Sequence, residues 1–355
     1  MTTLESDYNN GAHQDVLRHL VETNGERTQS YGDDHFSGRA RQLIRHACQA
    51  PEAQVWFLAG GTQTNATIID CVLQPYEGVV CAESAHINVH EAGAVEFTGH
   101  KVITLPSHEG KLDADELRTW LDGFFADETA EHMVRPGMVY VTFPTELGTL
   151  YSADELRRLH DVCQTNQLLL YVDGARMAYG LAASPDVTLP LMAHTADVFY
   201  IGGTKCGALC GEAVVFPKGN APCYMLSRIK QHGALLAKSR VIGVQFEALF
   251  DTDGRPTPLY LSIGSHAVAL AIRLRHFFTQ RLGYASYVDS PTNQQFYVIP
   301  NNDLAVLARH VAFEKWAPFD QGHTVCRFVT SWTTTPDELD ELEQALLSAI
   351  NEKQK

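Results

Sequence analysis

Asp173 follows the apolar run Leu168 to Val172 and precedes Arg176 by three residues, in Tyr171-Val172-Asp173-Gly174-Ala175-Arg176. Lys205 stands 32 residues further on, where Phe199-Tyr200-Ile201 runs into Gly202-Gly203-Thr204-Lys205-Cys206-Gly207. Taken singly, an acid after a strand is a common turn former, and a lone loop lysine is normally solvated. A lysine becomes a nucleophile toward carbonyls when its amine is held in place and partly desolvated, which a glycine-rich strand end can arrange. Strand ends are also where open α/β sheets place ligands. The pair therefore points to covalent lysine chemistry beside a carboxylate.

Three further stretches supply partners. In Leu58-Ala59-Gly60-Gly61-Thr62-Gln63-Thr64-Asn65 a strand stops and a helix starts near Thr62; amides and dipole at such a start favour an anion. It is neither a Walker A loop nor a dinucleotide Gly-x-Gly-x-x-Gly fingerprint, which discounts a nucleotide enzyme. His86 and His90 lie four residues apart, but the His-Glu-x-x-His order of metalloproteases is absent; His86 stacking on a cofactor ring is the alternative to an ordinary core or surface histidine. Arg327 sits inside the apolar run Val325-Cys326-Arg327-Phe328-Val329, where a guanidinium is costly to bury unpaired; a surface edge strand would excuse it, and a bidentate carboxylate ligand explains it better. Cys206 and Cys210 lack the second pair that a zinc site needs, so no metal is expected. An acid and a lysine on neighbouring strands meet the needs of pyridoxal 5'-phosphate (PLP): Lys205 as its Schiff-base partner and Asp173 against the pyridinium nitrogen.

These residues need a scaffold. From Gln54 to about Val215 short β-rich runs alternate with helical patterns, which yields a mostly parallel sheet covered by helices. The expected strands are Gln54 to Ala59, Gly78 to Ala82, Lys101 to Leu105, Met138 to Phe143, Leu168 to Val172, Val198 to Ile201 and Ala213 to Phe216. Asp113 with Glu116, Ser152 with Glu155, and Thr335 with Glu338 have capping-box spacing. Ala221 to Phe250 reads as long and helical. Beyond it come a helix (Ser265 to Arg281), a strand (Gln295 to Pro300), a helix (Asp303 to Trp316), a strand (Val325 to Ser331) and a last helix. The expected fold is α/β, with a large domain over residues 1–250 and a smaller α/β domain over residues 251–355.

Composition narrows the classes. In 355 residues, 45% hydrophobic and 19% charged, 26 Gly and 15 Pro are dispersed as in an ordinary globular protein. A net charge of -15 repels nucleic-acid backbones and anionic membranes. Met1 to Asn10 has no apolar h-region and no run of 18 apolar residues follows, so a cytoplasmic protein is expected. Its eight scattered cysteines then read as reduced thiols.

In combination and order, Asp-Gly-Ala-Arg at 173–176, Gly-Gly-Thr-Lys at 202–205, His86 with Glu91-Ala92-Gly93, and Arg327-Phe328-Val329-Thr330-Ser331-Trp332 resemble the PLP-dependent fold-type I aldolase and β-eliminating lyase family, above all its low-specificity L-threonine aldolases. The resemblance runs from Ser6-Asp7 to the C-terminal helix. It implies an aspartate aminotransferase-like fold with a seven-stranded large sheet. It also implies that Lys205 bonds PLP, Asp173 pairs with the ring nitrogen, Gly61, Thr62 and Thr204 hold the phosphate, and His86 stacks on the ring. Arg176, which also lies at the cofactor, and Arg327 would grip the substrate carboxylate, with Ser6 nearby. The reaction implied is retro-aldol cleavage of a β-hydroxy-α-amino acid to glycine and an aldehyde, the base being His86 through water or Glu146. Some threonine aldolases carry a histidine in the loop written here Thr145-Glu146-Leu147-Gly148-Thr149; the Glu146 pattern is similar to a phenylserine aldolase subgroup, which leaves L-threonine, L-allo-threonine and β-phenylserine open as substrates. Ser227 to Gly233 resembles a segment that reaches the phosphate from a neighbouring subunit, implying a homodimer or homotetramer. The alternatives are β-elimination or transamination on the same scaffold and a binding protein that lost the chemistry, against which the intact Lys205, Asp173 and Arg327 argue.

Overall fold

The computed structural model describes residues 1–252 and 254–353. Seven strands form its main sheet: β1 (Gln54–Leu58), β2 (Glu77–Ala82), β3 (Val102–Leu105), β4 (Arg135–Thr142), β5 (Leu169–Asp173), β6 (Val198–Gly202) and β7 (Glu212–Phe216). Their spatial order is β1-β7-β6-β5-β4-β2-β3. Only β7 runs antiparallel to its neighbours. Runs such as Val79-Val80-Cys81 and Leu170-Tyr171-Val172 are buried throughout, because helices cover both faces of a parallel sheet. Successive parallel strands require crossovers; helices Gly61–Val72, Ala114–Ala126 and Ala153–Thr165 supply three, the last between the neighbours β4 and β5. The carboxyl ends of β4, β5 and β6 consequently share one edge.

Local signals set several helix starts. Ser152 and Glu155 close a full capping box, and Thr335 and Glu338 exchange the same two bonds. Asp113 caps its helix, but Glu116 turns to His108 at 2.8 Å, so that box is half formed.

A smaller antiparallel sheet follows, from β8 (Ala285–Ser286), β9 (Gln294–Pro300), β10 (Glu314–Pro318) and β11 (His323–Val329), in the order β10-β11-β9-β8. The helix expected over Asp303 to Trp316 is corrected here: helix Asn301–Leu307 stops early, and Glu314–Pro318 pairs with β11. The cross-strand partners of Glu314, Lys315, Ala317 and Pro318, with Glu314 opposite Arg327, outweigh the helical period. Ala221 to Phe250 is likewise two helices, Met225–Gln231 and Arg240–Phe250, broken where Gly233 adopts φ 68°. Helix Leu259–His276 begins six residues before the expected start and runs into a π-type turn over Phe277–Arg281.

That helix links the two cores. Its first half, including Tyr260 and Ala267, packs with the large sheet; Leu270 and Leu274 pack with Phe278, Tyr297 and Phe328 of the small one. At the N-terminus, Thr2–Thr3 pairs in parallel with Val311–Ala312, which lays residues 6–8 across the junction. No helix among the described residues is long and apolar enough to cross a membrane.

Candidate active site

A cavity of about 340 Å³ opens at the carboxyl edge of the large sheet, within the range of small-molecule sites. Asp173 is the last residue of β5, and Lys205 follows β6 by three residues. Their loops approach closely because two positions are glycine. A Cβ on Gly174 would lie 2.1 Å from the Tyr200 carbonyl oxygen, and one on Gly202 2.3 Å from that of Ala175. Gly202 N–H donates to Gly174 O at 2.9 Å, locking the two turns together. Burial lowers the Lys205 ammonium below the ordinary lysine range, and the nearby Arg176 charge adds to that. Its Nζ lies 5.6 Å from the centre of the Tyr8 ring.

Asp173, 4% exposed, is oriented by three uncharged donors: Tyr140 Oη at 2.6 Å, Asn65 Nδ2 at 3.0 Å and Ala175 N–H at 2.9 Å. Asn65 also donates to Glu91 Oε1 at 2.8 Å, the oxygen that meets His86 Nδ1 at 2.7 Å. With the carboxylate at Nδ1, that nitrogen carries the proton of neutral His86 and leaves Nε2 as acceptor. The other Glu91 oxygen, Oε2, is buried without a partner among the described residues.

Glu146 stands across from this network. Its Oε1 accepts from the His86 backbone N–H at 2.8 Å and its Oε2 from Thr142 Oγ1 at 3.1 Å. Burial raises its carboxyl above the usual range, against the opposing effect of those bonds.

Helix Gly61–Val72 starts at the cavity, and no side chain caps it, so its first amides are open to an anion. Gly61, Thr62 and Thr204 line the same end. Thr204 Oγ1 donates to Glu212 Oε1 at 2.8 Å and accepts from Gly211 N–H at 3.1 Å.

The arginines are already paired. Arg176 lines the cavity and grips Asp7 through Nε at 2.7 Å and Nη2 at 3.0 Å. Asp7 also accepts from Asn293 Nδ2 at 2.9 Å, tying the N-terminal segment to both halves of the molecule. Burial opposes the Asp7 charge, but Arg176 and Lys205 hold it below its ordinary value. Breaking such a buried pair by removing one partner costs about 3–5 kcal/mol. Arg327 lies behind the lining, donating through Nη1 to Gln294 at 3.0 Å and pairing through Nη2 with Glu314; its Nε is buried with no partner among the described residues. Ser6 is not brought into the lining and donates to Asn9 at 2.7 Å.

The structure thus gathers Lys205, Asp173, Gly61, Thr62, Thr204, His86, Glu146 and Arg176 around one cavity, leaves Arg327 beside it, and turns Ser6 away. Tyr8, Asn65, Glu91 and Glu212 were missed as cavity residues. Asn65 and Glu91 lie inside the two motifs already singled out, whereas Glu212 carries no local signal. Among the described residues no cluster of His, Cys, Asp and Glu could hold a metal ion. The residues fit PLP: a half-buried lysine amine, a carboxylate on the adjoining strand end and an uncapped helix start bracket one cavity.

A family model described as beta-eliminating lyase matches residues 6–295. The low specificity L-threonine aldolase of Pseudomonas aeruginosa is 29% identical over 343 residues, covering 95% of this chain and 94% of its own. A structure of Leishmania major threonine aldolase matches with a TM-score of 0.92 at 34% identity, over 98% of this chain and all of that one (100%). A single mutant of Thermus thermophilus aspartate aminotransferase, 13% identical, matches with a TM-score of 0.70 over 98% of this chain and 91% of its own. The expected aspartate aminotransferase-like fold is the observed one.

Proposed function

The chain belongs to the beta-eliminating lyase family, and from that premise we propose that it is a PLP-dependent aldolase cleaving β-hydroxy-α-amino acids to glycine and an aldehyde. The observation that carries this reading is the meeting of Lys205, Asp173 and the uncapped start of helix Gly61–Val72 on one cavity. When bound, PLP supplies an electron sink for the pair released as the Cα–Cβ bond breaks.

The chain's own residues divide the remaining work. Lys205 holds the cofactor covalently, favoured by a lowered pKa that leaves more of its amine uncharged. Asp173, aimed by Tyr140 and Asn65, would accept a hydrogen bond from the protonated ring nitrogen and keep the proton there. Gly61, Thr62 and Thr204 hold the phosphate, and His86 flanks the ring. Arg327, beside the cavity, takes the substrate carboxylate in place of Glu314, while Arg176, bonded to Asp7, positions the Tyr8 segment over the amine. Holding the carboxylate would fix the orientation of the substrate about its Cα. Ser6 acts at most through the N-terminal segment, since its hydroxyl is turned to Asn9.

The β-hydroxyl proton goes to Glu146, whose burial gives it the basicity that an ordinary carboxylate lacks, or to His86 Nε2 through a water. Shared active sites in a homodimer or homotetramer and a cytoplasmic location complete the reading; sedimentation checks the former.

Incubating the protein with PLP should give a visible absorption band, and borohydride should fix the cofactor on the peptide containing Lys205. Incubation with L-threonine, L-allo-threonine and β-phenylserine should then release glycine and an aldehyde. Label on another lysine ends the cofactor assignment. Keto acid with ammonia in place of aldehyde makes the chain a β-eliminating enzyme on the same scaffold.

A further inference from the structure

Glu212 is a buried carboxyl that the mechanism above does not use. It opens β7, opposite Gly202 of β6 and Leu58 of β1, so it projects where the strand ends carrying the phosphate-facing residues converge. It is 3% exposed. Its Oε2 accepts from Gly203 N–H at 3.0 Å and its Oε1 takes the only hydroxyl proton of Thr204. No cation forms an ion pair with it among the described residues. Thr204 therefore has no hydrogen left for an anion, although the cavity end it lines is the one an anion would enter.

An anionic Glu212 would compete with a phosphate for that one hydrogen and repel the phosphate as well. A protonated Glu212 reverses both effects. With a proton from solvent on Oε1, the acid donates to Thr204 Oγ1, whose second lone pair already accepts from Gly211 N–H. The Thr204 hydrogen is then released toward the anion, while Oε2 keeps its bond from Gly203.

We propose that Glu212 is a positioning residue for the cofactor phosphate, which as the neutral acid directs the Thr204 hydroxyl onto that group. This inference rests on the PLP reading above. Burial agrees with it, pushing the Glu212 carboxyl up to about 8. The groups facing it are Lys205, Asp173, Tyr171 and Tyr200 from the sheet and its loops, Cys206 and Cys210 from the turn, and Tyr260 from helix Leu259–His276. Burial raises the three tyrosines well above their ordinary value and Cys206 to about 12, so Lys205 is the neighbour whose titration must be separated.

Pyridoxal, which lacks the phosphate, makes that separation, because Lys205 meets the same aldehyde in both ligands. The ratio of pyridoxal Kd to PLP Kd, read from the ligand absorbance, should fall about tenfold from about pH 7 to about pH 9 in the wild-type protein, as the protonated fraction falls. Glu212→Gln, whose amide donates to Thr204 at every pH, should hold the ratio near its low-pH value throughout. Equal slopes in the two proteins, or a variant weak at both pH values, overturn the inference. Calorimetry on wild-type protein in buffers of different ionisation enthalpy tests it without a variant: near pH 9, PLP should take up about one proton more than pyridoxal, and an equal uptake overturns it. A wild-type protein that binds no PLP overturns the cofactor reading too, whereas PLP binding with a flat ratio overturns the Glu212 inference alone.

Discussion

Asp173 and Arg327 are both buried ionisable groups beside one cavity, and their surroundings differ in kind. Asp173 projects from the parallel sheet and is held by a tyrosine hydroxyl, an amide side chain and a backbone N–H, with no ion pair among the described residues. Arg327 projects from the antiparallel sheet and is matched by Glu314 on the next strand. Neutral donors aim a charge without cancelling it, so Asp173 stays available to a cationic partner. A carboxylate partner cancels the charge that it orients. The sheet side is thus preorganised for a resident ligand, and the Arg327 side, behind the lining, for one that exchanges.

The largest expected effect tests the sheet side. If Glu146 is the base, Glu146→Gln lowers kcat by roughly 10²- to 10⁴-fold. The wild-type profile fixes the sign. Burial raises the Glu146 carboxyl, and a base must be ionised, so kcat/KM rises with pH as that group loses its proton above the usual carboxylate range. The variant should lose this acidic limb. A limb that persists, with a loss under about tenfold, transfers the role to His86.

What could be read from the chain follows the same division. Asp173, Lys205 and the Gly60 to Thr62 turn were legible because each ends a buried strand, and the alternation of strands and helices forces those ends onto one edge. Asn65 reaches Asp173 across 108 positions, and Glu212 reaches Thr204 from the other side of a turn; neither has a periodicity or a motif that marks its target. The helix expected at Asp303 to Trp316 failed where cross-strand pairing decides. Its replacement, β10, brings Glu314 to Arg327, so the misread element concealed the arginine's partner. Arg176 was legible as an arginine with a ligand, but the ligand in place is Asp7.

Arg327→Ala tests the exchanging side. Charge-assisted bonds are worth about 1.5–3 kcal/mol, so the variant should raise KM for the amino acid roughly 10- to 100-fold and leave the PLP absorption band unchanged. A lost band would place Arg327 in the support of the cofactor and erase the contrast between the sides.

The smallest effect is the most discriminating. Glu314 is 40% exposed at its side chain, and an ion pair with such a partner is worth about 0–1 kcal/mol. If Glu314 occupies Arg327 only until a substrate carboxylate displaces it, Glu314→Gln should lower KM by up to about fivefold with kcat unchanged. A raised KM would mean that Glu314 aims the guanidinium as Tyr140 and Asn65 aim Asp173. The two sides would then work alike, differing only in whether the orienting group is neutral or charged.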